Sequence, residues 1–470
     1  MNSFDIVLTS GGIGPTHDDV TFEGLAKALN ESTLVHPELL HVVENFFGFD
    51  SSLGALHRLA CIPASSELVY GIDHSTGRQS NYPVVKVRNI YALPGIPTLF
   101  HTAFEIIKEH LRDRRICFHS RSLYVTQGET VIAAFLSSLA DKYREEVGVG
   151  SYPTFNNSYY KVRVALDSMS ESALQSAYQE AFEHLKDHLI SYVPDPVTKA
   201  SSAVYALASD VEHDRLSRCV ATSIKIIEDI FHRFTPSEMV IGFNGGKDCT
   251  VLLHLVYAVF LRRIAGHSPE AGCRARLASE FPRLLYIRSR SVFPELENFV
   301  QRTLQFYRLS SKSILRPTVN AGSMEKREKS HGGLIVFEGD IKSSLDRLLK
   351  DFPDVRGVLM GTRLSDPRAS HLSPVIMTDA GWPQILRINP LLDWTYSDVW
   401  QFIRTLSLPY CSLYDVGYTS IGSMEDTHPN PNLRYITESG RCGYRPAYTL
   451  ADPESERSGR SRSIAPSRQE

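Results

Sequence analysis

A chain of 470 residues is longer than one ordinary domain, so two or three are expected. Its 50 basic and 53 acidic residues leave a formal charge of −3, which gives no electrostatic case for a nucleic-acid partner or an anionic membrane. The seven cysteines are scattered without a C-x-x-C, and no apolar run is long enough to span a bilayer, which argues against a disulfide framework, a zinc site or a membrane protein and fits a reducing compartment.

The start, Met1-Asn-Ser-Phe-Asp-Ile-Val-Leu, lacks the basic residues of a signal or transit peptide, and Phe4 to Leu8 reads as a strand. A glycine loop follows, Thr9-Ser-Gly-Gly-Ile-Gly-Pro-Thr-His-Asp-Asp-Val-Thr. Its Gly11, Gly12 and Gly14 make a phosphate-sized backbone nest, and Asp18 and Asp19 are two carboxylates able to hold a divalent ion. Phe22 to Leu29 has helical spacing, Tyr82 to Leu93 alternates like two short strands, and Leu93-Pro-Gly-Ile-Pro opens a helix with Phe100, Phe104 and Ile107 along one side. From about Phe118 to Val193 a second unit is predicted, with strands at Leu123–Thr126 and Tyr160–Leu166 and a helix from Ser170 to Ile190. Pro194-Asp195-Pro196 marks a break, and an amphipathic stretch runs from Ala203 to Phe234.

The strand starting at Met239 breaks at Asn244-Gly245-Gly246-Lys247-Asp248 and continues as a helix with Val251, Leu252, Leu255, Val256 and Val259 on its apolar positions. A strand that feeds a glycine turn and then a helix leaves backbone N–H groups and the positive helix end facing outward, where phosphate binds. Lys247 adds a charge, and Asp248 a possible Mg²⁺ contact. The loop is not G-x-x-x-x-G-K-[ST], so the γ-phosphate NTPase reading fails. Taken alone, it is as readily a plain turn.

Further strands are predicted at Leu284–Ile287 and Gly357–Gly361, with a helix at Pro294–Leu309 between them, a spacing that implies parallel pairing through crossovers. Segments 265–283 and 319–334 read as loops or insertions, and the tail beyond about Gly459 as disordered. Gly361-Thr-Arg363-Leu-Ser-Asp366-Pro367 leaves the same sheet edge as the glycine turn; Arg363 suits a bidentate phosphate contact and Asp366 an aimed carboxylate, or the two form a turn with a surface ion pair. Thr395 to Asp398 is a helix-capping pattern. Trp382, Trp394 and Trp400 crowd one window: the spacing gives Trp400 to the core and leaves Trp394 open between packing and a wall for a flat ring.

These clusters, with Pro409-Tyr-Cys-Ser-Leu-Tyr-Asp-Val-Gly-Tyr-Thr-Ser-Ile-Gly-Ser and Tyr444-Arg-Pro-Ala-Tyr, resemble the eukaryotic FAD synthases (FMN adenylyltransferases) from about Ser202 to Arg460. The resemblance implies an α/β protein: a parallel-sheet, adenine-nucleotide α-hydrolase-like (PAPS reductase-like) domain over 201–460, a small α/β linking domain over 113–200, and over 1–112 a molybdopterin-binding-like domain lacking its first strand–helix unit. Residues 461–470 form the tail. It implies transfer of AMP from ATP to FMN, giving FAD and pyrophosphate, with Mg²⁺. In this reading Asn244, Gly245, Gly246, Lys247, Asp248 and Gly361 bind ATP. Lys247, Asp248, Arg363 and Asp366 carry the chemistry, and Arg363, Asp366, Asp379, Arg387, Asn389, Trp394, Arg457 and Arg460 bind FMN. Apo-flavoproteins are the implied acceptors of FAD and the cytoplasm the implied location, while the N-terminal domain is linked to FAD hydrolysis. The chain departs from the family pattern at Leu364, where a second arginine is usual, with Arg368 as an offset.

Two alternatives remain. Arg441-Cys442-Gly443 is superficially like the reactive cysteine motif of PAPS reduction, although Tyr444-Arg-Pro-Ala-Tyr beside it follows the synthase pattern. A catalytically inactive flavin- or nucleotide-binding protein is the non-enzymatic reading.

Overall fold

A computed structural model describes residues 4–47, 53–73, 78–80, 82–113, 115–155, 157–265, 280–289, 291–315, 333–437 and 440–461. The chain divides into two compact units, residues 1–118 and 119–470. In the first, strands β1 (Val7–Ser10), β2 (Ser66–Val69), β3 (Val84–Val87) and β4 (Ile90–Leu93) form a sheet in the order β1-β4-β3-β2, with β1 and β4 parallel. Helices α1 (Thr21–Leu29), α2 (Pro37–Phe47) and α3 (Pro97–Leu111) accompany it. Phe22, Leu39, Val43, Val85 and Val87 pack together in one core, and Val84, Tyr91, Leu93 and Ile107 in a second.

The second unit opens with β5 (His119–Val125), α4 (Glu129–Lys142), β6 (Gly148–Pro153), β7 (Val162–Ser168) and α5 (Glu171–Leu185), whose strands pair antiparallel in the order β6-β7-β5. Ser170 caps α5 by accepting from the Ala173 amide at 3.3 Å, as its sequence position predicts. The amphipathic stretch after the break is two helices, α6 (Ala200–Leu207) and α7 (Arg215–Arg233). Asp214 starts the second by accepting from the Ser217 amide at 2.8 Å, a local cap that the hydrophobic period does not reveal.

Seven strands then build the main sheet: β8 (Met239–Gly242), β9 (Arg283–Arg288), β10 (Ser310–Leu315), β11 (Gly333–Glu338), β12 (Gly357–Leu359), β13 (Val375–Met377) and β14 (Leu386–Ile388). Their order is β10-β11-β9-β8-β12-β14-β13, parallel throughout except for the edge strand β13. Helices α8 (Lys247–Ala265), α9 (Pro294–Phe306), α10 (Ile341–Asp351) and α11 (Tyr396–Thr405) complete the unit. Alternate strand residues serve two cores. Ile241, Leu284, Leu359 and Ile388 pack with α8, while Val240, Leu285, Ile335 and Val358 pack with Leu345 and Leu348 of α10.

The segments predicted as loops, 265–283 and 319–334, lie largely outside the described residues; where they are described, Ala265 ends α8, Arg283 begins β9, and Gly333 and Leu334 begin β11 rather than a loop. Of the tail predicted as disordered, 461–470, residues 462–470 also lie outside them, while the Ser461 amide donates to the Asp426 carbonyl at 2.9 Å. What positions the site is the turnaround in strand order. From β8 the chain moves to β9 on one side and later returns to β12 on the other, so the loops leaving β8 and β12 part company at the carboxyl rim. Such a switch point leaves a crevice where ligands of open α/β sheets bind.

Candidate active site

The loop between β8 and α8 is built on glycine. Gly245 has φ +79°, and a Cβ there would meet Leu296 at 2.9 Å and Val300 at 3.1 Å on α9. Only glycine lets the backbone pass so close with that dihedral. Gly361, just past β12, packs on the first turn of α8: its Cβ would lie 3.0 Å from both the Asp248 carbonyl carbon and the Cys249 nitrogen. That close approach seats the two sequence motifs side by side.

The turn is less bare than its sequence suggests. The Gly246 amide donates to Asn244 Oδ1 at 3.0 Å, and the Lys247 amide to the Tyr414 hydroxyl at 2.9 Å. Two N–H groups expected to face a phosphate are thus held within the protein. Tyr414 comes from the turn Ser412–Val416, far along the chain; it stands in the Pro409–Ser423 run, whose sequence does not tell that it reaches this loop.

Five charged side chains meet beside this turn. Arg363, 1% exposed, has its Nε 2.8 Å from Asp248 Oδ1, and its Nη2 lies 2.8 and 2.7 Å from the two oxygens of Glu456. Lys247, 2% exposed, reaches Asp248 Oδ2 at 3.1 Å and Glu456 Oε1 at 2.5 Å, with its ammonium 5.2 Å from the centre of the Tyr396 ring. Asp366 accepts from the Arg363 amide at 2.9 Å, and its other oxygen lies 3.9 Å from Arg363 Nη2.

Burial opposes charge on Asp248, yet Lys247 and Arg363 outweigh it and hold its pKa below the usual carboxylate value. Burial likewise opposes the charge on Arg363, and Asp248 and Glu456 overcome it, leaving its pKa raised. Asp366 goes the other way: burial raises its pKa against the pull of Arg363. Cys249 donates to Asn244 Oδ1 at 3.0 Å, and burial pushes its thiol up to about 12, so it is no nucleophile at neutral pH. One group in the cluster is left over. Arg363 Nη1 is buried and has no hydrogen-bond partner, a charged donor without an acceptor.

Of the residues expected from sequence, Asn244, Gly245, Gly246, Lys247, Asp248, Gly361, Arg363 and Asp366 therefore come together. Lys247 corrects one expectation: enclosed by two carboxylates and a ring, its ammonium offers no open face to a phosphate. Glu456, which pairs with both cations, is not among the residues expected to act, although its neighbour Arg457 is.

The expected flavin residues are dispersed. Asp379 lies in the turn entering β14, at the other end of that strand from Asn389, and is 3.8 Å from His371. Arg387 is mid-strand, in register with Val358 and Ile376, with a buried, unpartnered Nε. Asn389 is fully buried; its Nδ2 donates to the Ser373 carbonyl at 3.1 Å while its Oδ1 has no partner. Trp394 is also corrected: at 3% exposure it packs on Phe402 and donates Nε1–H to Ser223 Oγ at 3.0 Å, leaving no face for a flavin. Asn389 and Trp394 line a cavity of about 160 Å³ with Arg215, Cys219 and Asp393, apart from the charged cluster. Trp400 is core, as its spacing predicts.

Arg460 pairs with Asp426 at 2.9 Å, and Arg457 is exposed. In the first unit Gly11 and Gly12 have φ of +88° and +69°, and Thr16 Oγ1 donates to both Asp18 and Asp19. The Thr16 hydroxyl and amide hold the Asp19 pKa low.

Three family descriptions match successive parts of the chain. The description "Probable molybdopterin binding domain" matches residues 1–113, "FAD synthase, middle domain" residues 117–194, and "Phosphoadenosine phosphosulfate reductase domain" residues 238–429. A "Probable FAD synthase" of Caenorhabditis briggsae is 32% identical over 98% of this chain and 86% of its own length. A "Probable FAD synthase" of Schizosaccharomyces pombe is 34% identical over 54% of this chain and 83% of its own. Among solved structures, Candida glabrata FMN adenylyltransferase with FMN and the ATP analogue AMPCPP is 24% identical, with a TM-score of 0.45, covering 57% of this chain and 99% of that one.

Proposed function

The chain belongs to the FAD synthase family, and on that premise we propose how its residues carry out the reaction. It is an FMN adenylyltransferase: AMP passes from ATP to FMN, giving FAD and pyrophosphate. An oxygen of the FMN phosphate forms the new bond to the α-phosphorus of ATP. The bond from that phosphorus to the α,β-bridging oxygen breaks, and pyrophosphate leaves with the electron pair. The attacking oxygen is already anionic at neutral pH, so no protein base is required. The chain's contribution is position and charge.

The observation that carries this reading is Arg363 at the sheet's switch point, with Nη1 buried and unpaired. An anionic phosphoryl oxygen is the acceptor that donor lacks. Asn244, Gly245 and Gly246 shape the turn that receives ATP's outer phosphates, with Gly361 holding it against β12. Asp248 orients Arg363 and Lys247, and Asp366 fixes the Arg363 backbone. Arg387, Asn389, Asp379, Arg457 and Arg460 are the proposed flavin-side residues; the unpaired Arg387 Nε and Asn389 Oδ1 support the first two.

The residues do not fit a Mg²⁺ held by the chain itself. Both Asp248 oxygens face cations, and among the described residues no three His, Cys, Asp or Glu side chains are grouped to hold a metal. Mg²⁺ in this proposal comes with ATP as part of the substrate. FAD hydrolysis is proposed for the Gly11–Asp19 loop, supported by its positive-φ glycines and paired carboxylates. We place the protein in the cytoplasm, handing FAD to apo-flavoproteins; among the described residues no helix is long and apolar enough to cross a membrane.

The test is direct. Purified chain is incubated with FMN, ATP and Mg²⁺, and FAD and pyrophosphate are quantified. Equimolar appearance of the two supports the proposal. FMN binding without ATP turnover favours an inactive binder, and thioredoxin-dependent sulfite release favours PAPS reduction.

A further inference from the structure

Lys247 and Glu456 stand more than 200 residues apart in the sequence and share one buried ion pair, 2.5 Å long. Glu456 belongs to the short turn Pro453–Arg457, and its carboxylate also takes Arg363 Nη2 with both oxygens. The same turn is tied down through its backbone. Thr419 Oγ1 donates to the Glu456 carbonyl at 2.5 Å, Asn430 Nδ2 to the Ser455 carbonyl at 2.8 Å, and the His428 amide to the Gly459 carbonyl at 2.8 Å. The 412–416 turn just upstream supplies Tyr414, which accepts from the Lys247 amide.

The charge balance decides what this arrangement does. Lys247 and Arg363 carry two positive charges, while Asp248, Asp366 and Glu456 carry three negative ones. A polyphosphate gains little from an ammonium already enclosed by two carboxylates, so Lys247 is badly placed to be a phosphate ligand. It is well placed to hold Glu456. The next residue, Arg457, is exposed, and no ion pair or hydrogen bond holds its side chain among the described residues. A cation kept free beside a buried anchor is suited to meet an incoming anion.

We propose that Glu456 is a positioning residue: with Lys247 and Arg363 it latches the C-terminal turn onto the glycine loop and so presents Arg457 to substrate phosphate. Lys247 acts through Glu456. The inference rests on the FAD synthase reading for its catalytic consequence but not for the latch itself.

The test uses the full chain with Glu456→Gln, Lys247→Met, the double variant and Glu456→Asp. Limited trypsin digestion followed by mass spectrometry reads cleavage after Arg457, which needs no turnover. Steady-state FAD formation reads the consequence. The latch predicts cleavage after Arg457 at least tenfold faster in each single neutral variant, with the rest of the chain intact. It predicts kcat/KM for FMN down ten- to hundredfold in each, the double variant no worse than the worse single one, and Glu456→Asp intermediate in both readouts. If Glu456→Gln does not fold, Glu456→Asp and Lys247→Met carry the test. The proposal is overturned by unchanged cleavage after Arg457. It is equally overturned if losses in the double variant multiply, because Lys247 then has a role of its own. Tighter pyrophosphate binding by Glu456→Gln also overturns it, since Glu456 is then a competing anion. Faster cleavage in a chain that makes no FAD, wild type included, sinks the enzymatic reading while leaving the latch standing.

Discussion

Arg363 Nε lies 2.8 Å from Asp248 Oδ1, yet neither atom makes a well-aligned hydrogen bond there. The contact is ionic and close but not geometrically locked, while Nη1 of the same guanidinium has no partner. Its Nη2 is fixed by both Glu456 oxygens, so the guanidinium is already anchored while Nη1 is left to meet a phosphate.

Substituting that arginine separates charge from shape. Arg363→Ala leaves three carboxylates in the cluster with Lys247 as its one cation and is expected to cost about 3–5 kcal/mol of stability, the usual penalty for breaking a buried pair. Arg363→Lys keeps the charge and loses the planar fork. It is expected to remain folded with FAD formation down about a hundredfold. Urea denaturation and steady-state kinetics on both variants check this; wild-type rates in Arg363→Lys remove the guanidinium from the mechanism.

Asp366 has two jobs that one substitution pulls apart. Asn at 366 keeps an oxygen to accept from the Arg363 amide but loses the negative charge, while Asp366→Ala loses both. If the charge matters, both variants lose about a hundredfold or more in kcat/KM. If the residue is only a turn former, Asp366→Asn is close to wild type and the alanine variant alone is impaired.

Gly245→Ala puts a side chain at φ +79° and against Leu296 and Val300. A non-glycine residue in that region costs about 1–2 kcal/mol before any clash. Lower stability and a raised KM for ATP are expected together, with FMN binding by fluorescence quenching little changed. A stable variant with normal ATP use shows that the loop's shape is not needed.

His254 gives the protein a pH dependence unrelated to the site. It is fully buried in α8, its Nδ1 is 2.9 Å from the Tyr307 hydroxyl, and burial lowers its pKa to about 3. In the unfolded chain it titrates near 6.5. Between these values the unfolded state binds a proton that the folded state refuses. The contribution is therefore full above about pH 6.5 and is lost progressively as the pH falls toward 3. By pH 5 the loss is about 2 kcal/mol. Urea denaturation across pH 5 to 7 reads the slope, and His254→Asn is expected to flatten it by that amount; an unchanged slope means that other groups set it.

The parts of this molecule that could be read in advance are local. Asn244–Asp248 announces itself by a change of period around two glycines, and Thr395 with Asp398 by a capping spacing that the structure reproduces with both hydrogen bonds. The parallel sheet followed from strand and helix alternation. The strand Gly333–Glu338 is not predicted: its first residues read as the end of the polar 319–334 loop, and the short apolar run after them carries no assignment. Tyr414 and Glu456 were out of reach for a different reason. Each acts on Lys247 from a distant part of the chain: Tyr414 lies in the Pro409–Ser423 run and Glu456 directly before Arg457, but no spacing tells that either reaches Lys247. Trp394 failed as a flavin wall because a tryptophan's type does not say whether its face is covered; Phe402 and Ser223 cover it.

The fate of the phosphates tests the central claim most directly. ATP labelled at the α-phosphorus in one reaction and at the γ-phosphorus in another is incubated with FMN and the purified chain, and the products are separated. The account predicts that the α-label enters FAD and the γ-label leaves as pyrophosphate, in equal amounts. Release of the γ-label as inorganic phosphate, or FAD that carries no α-label, would contradict it.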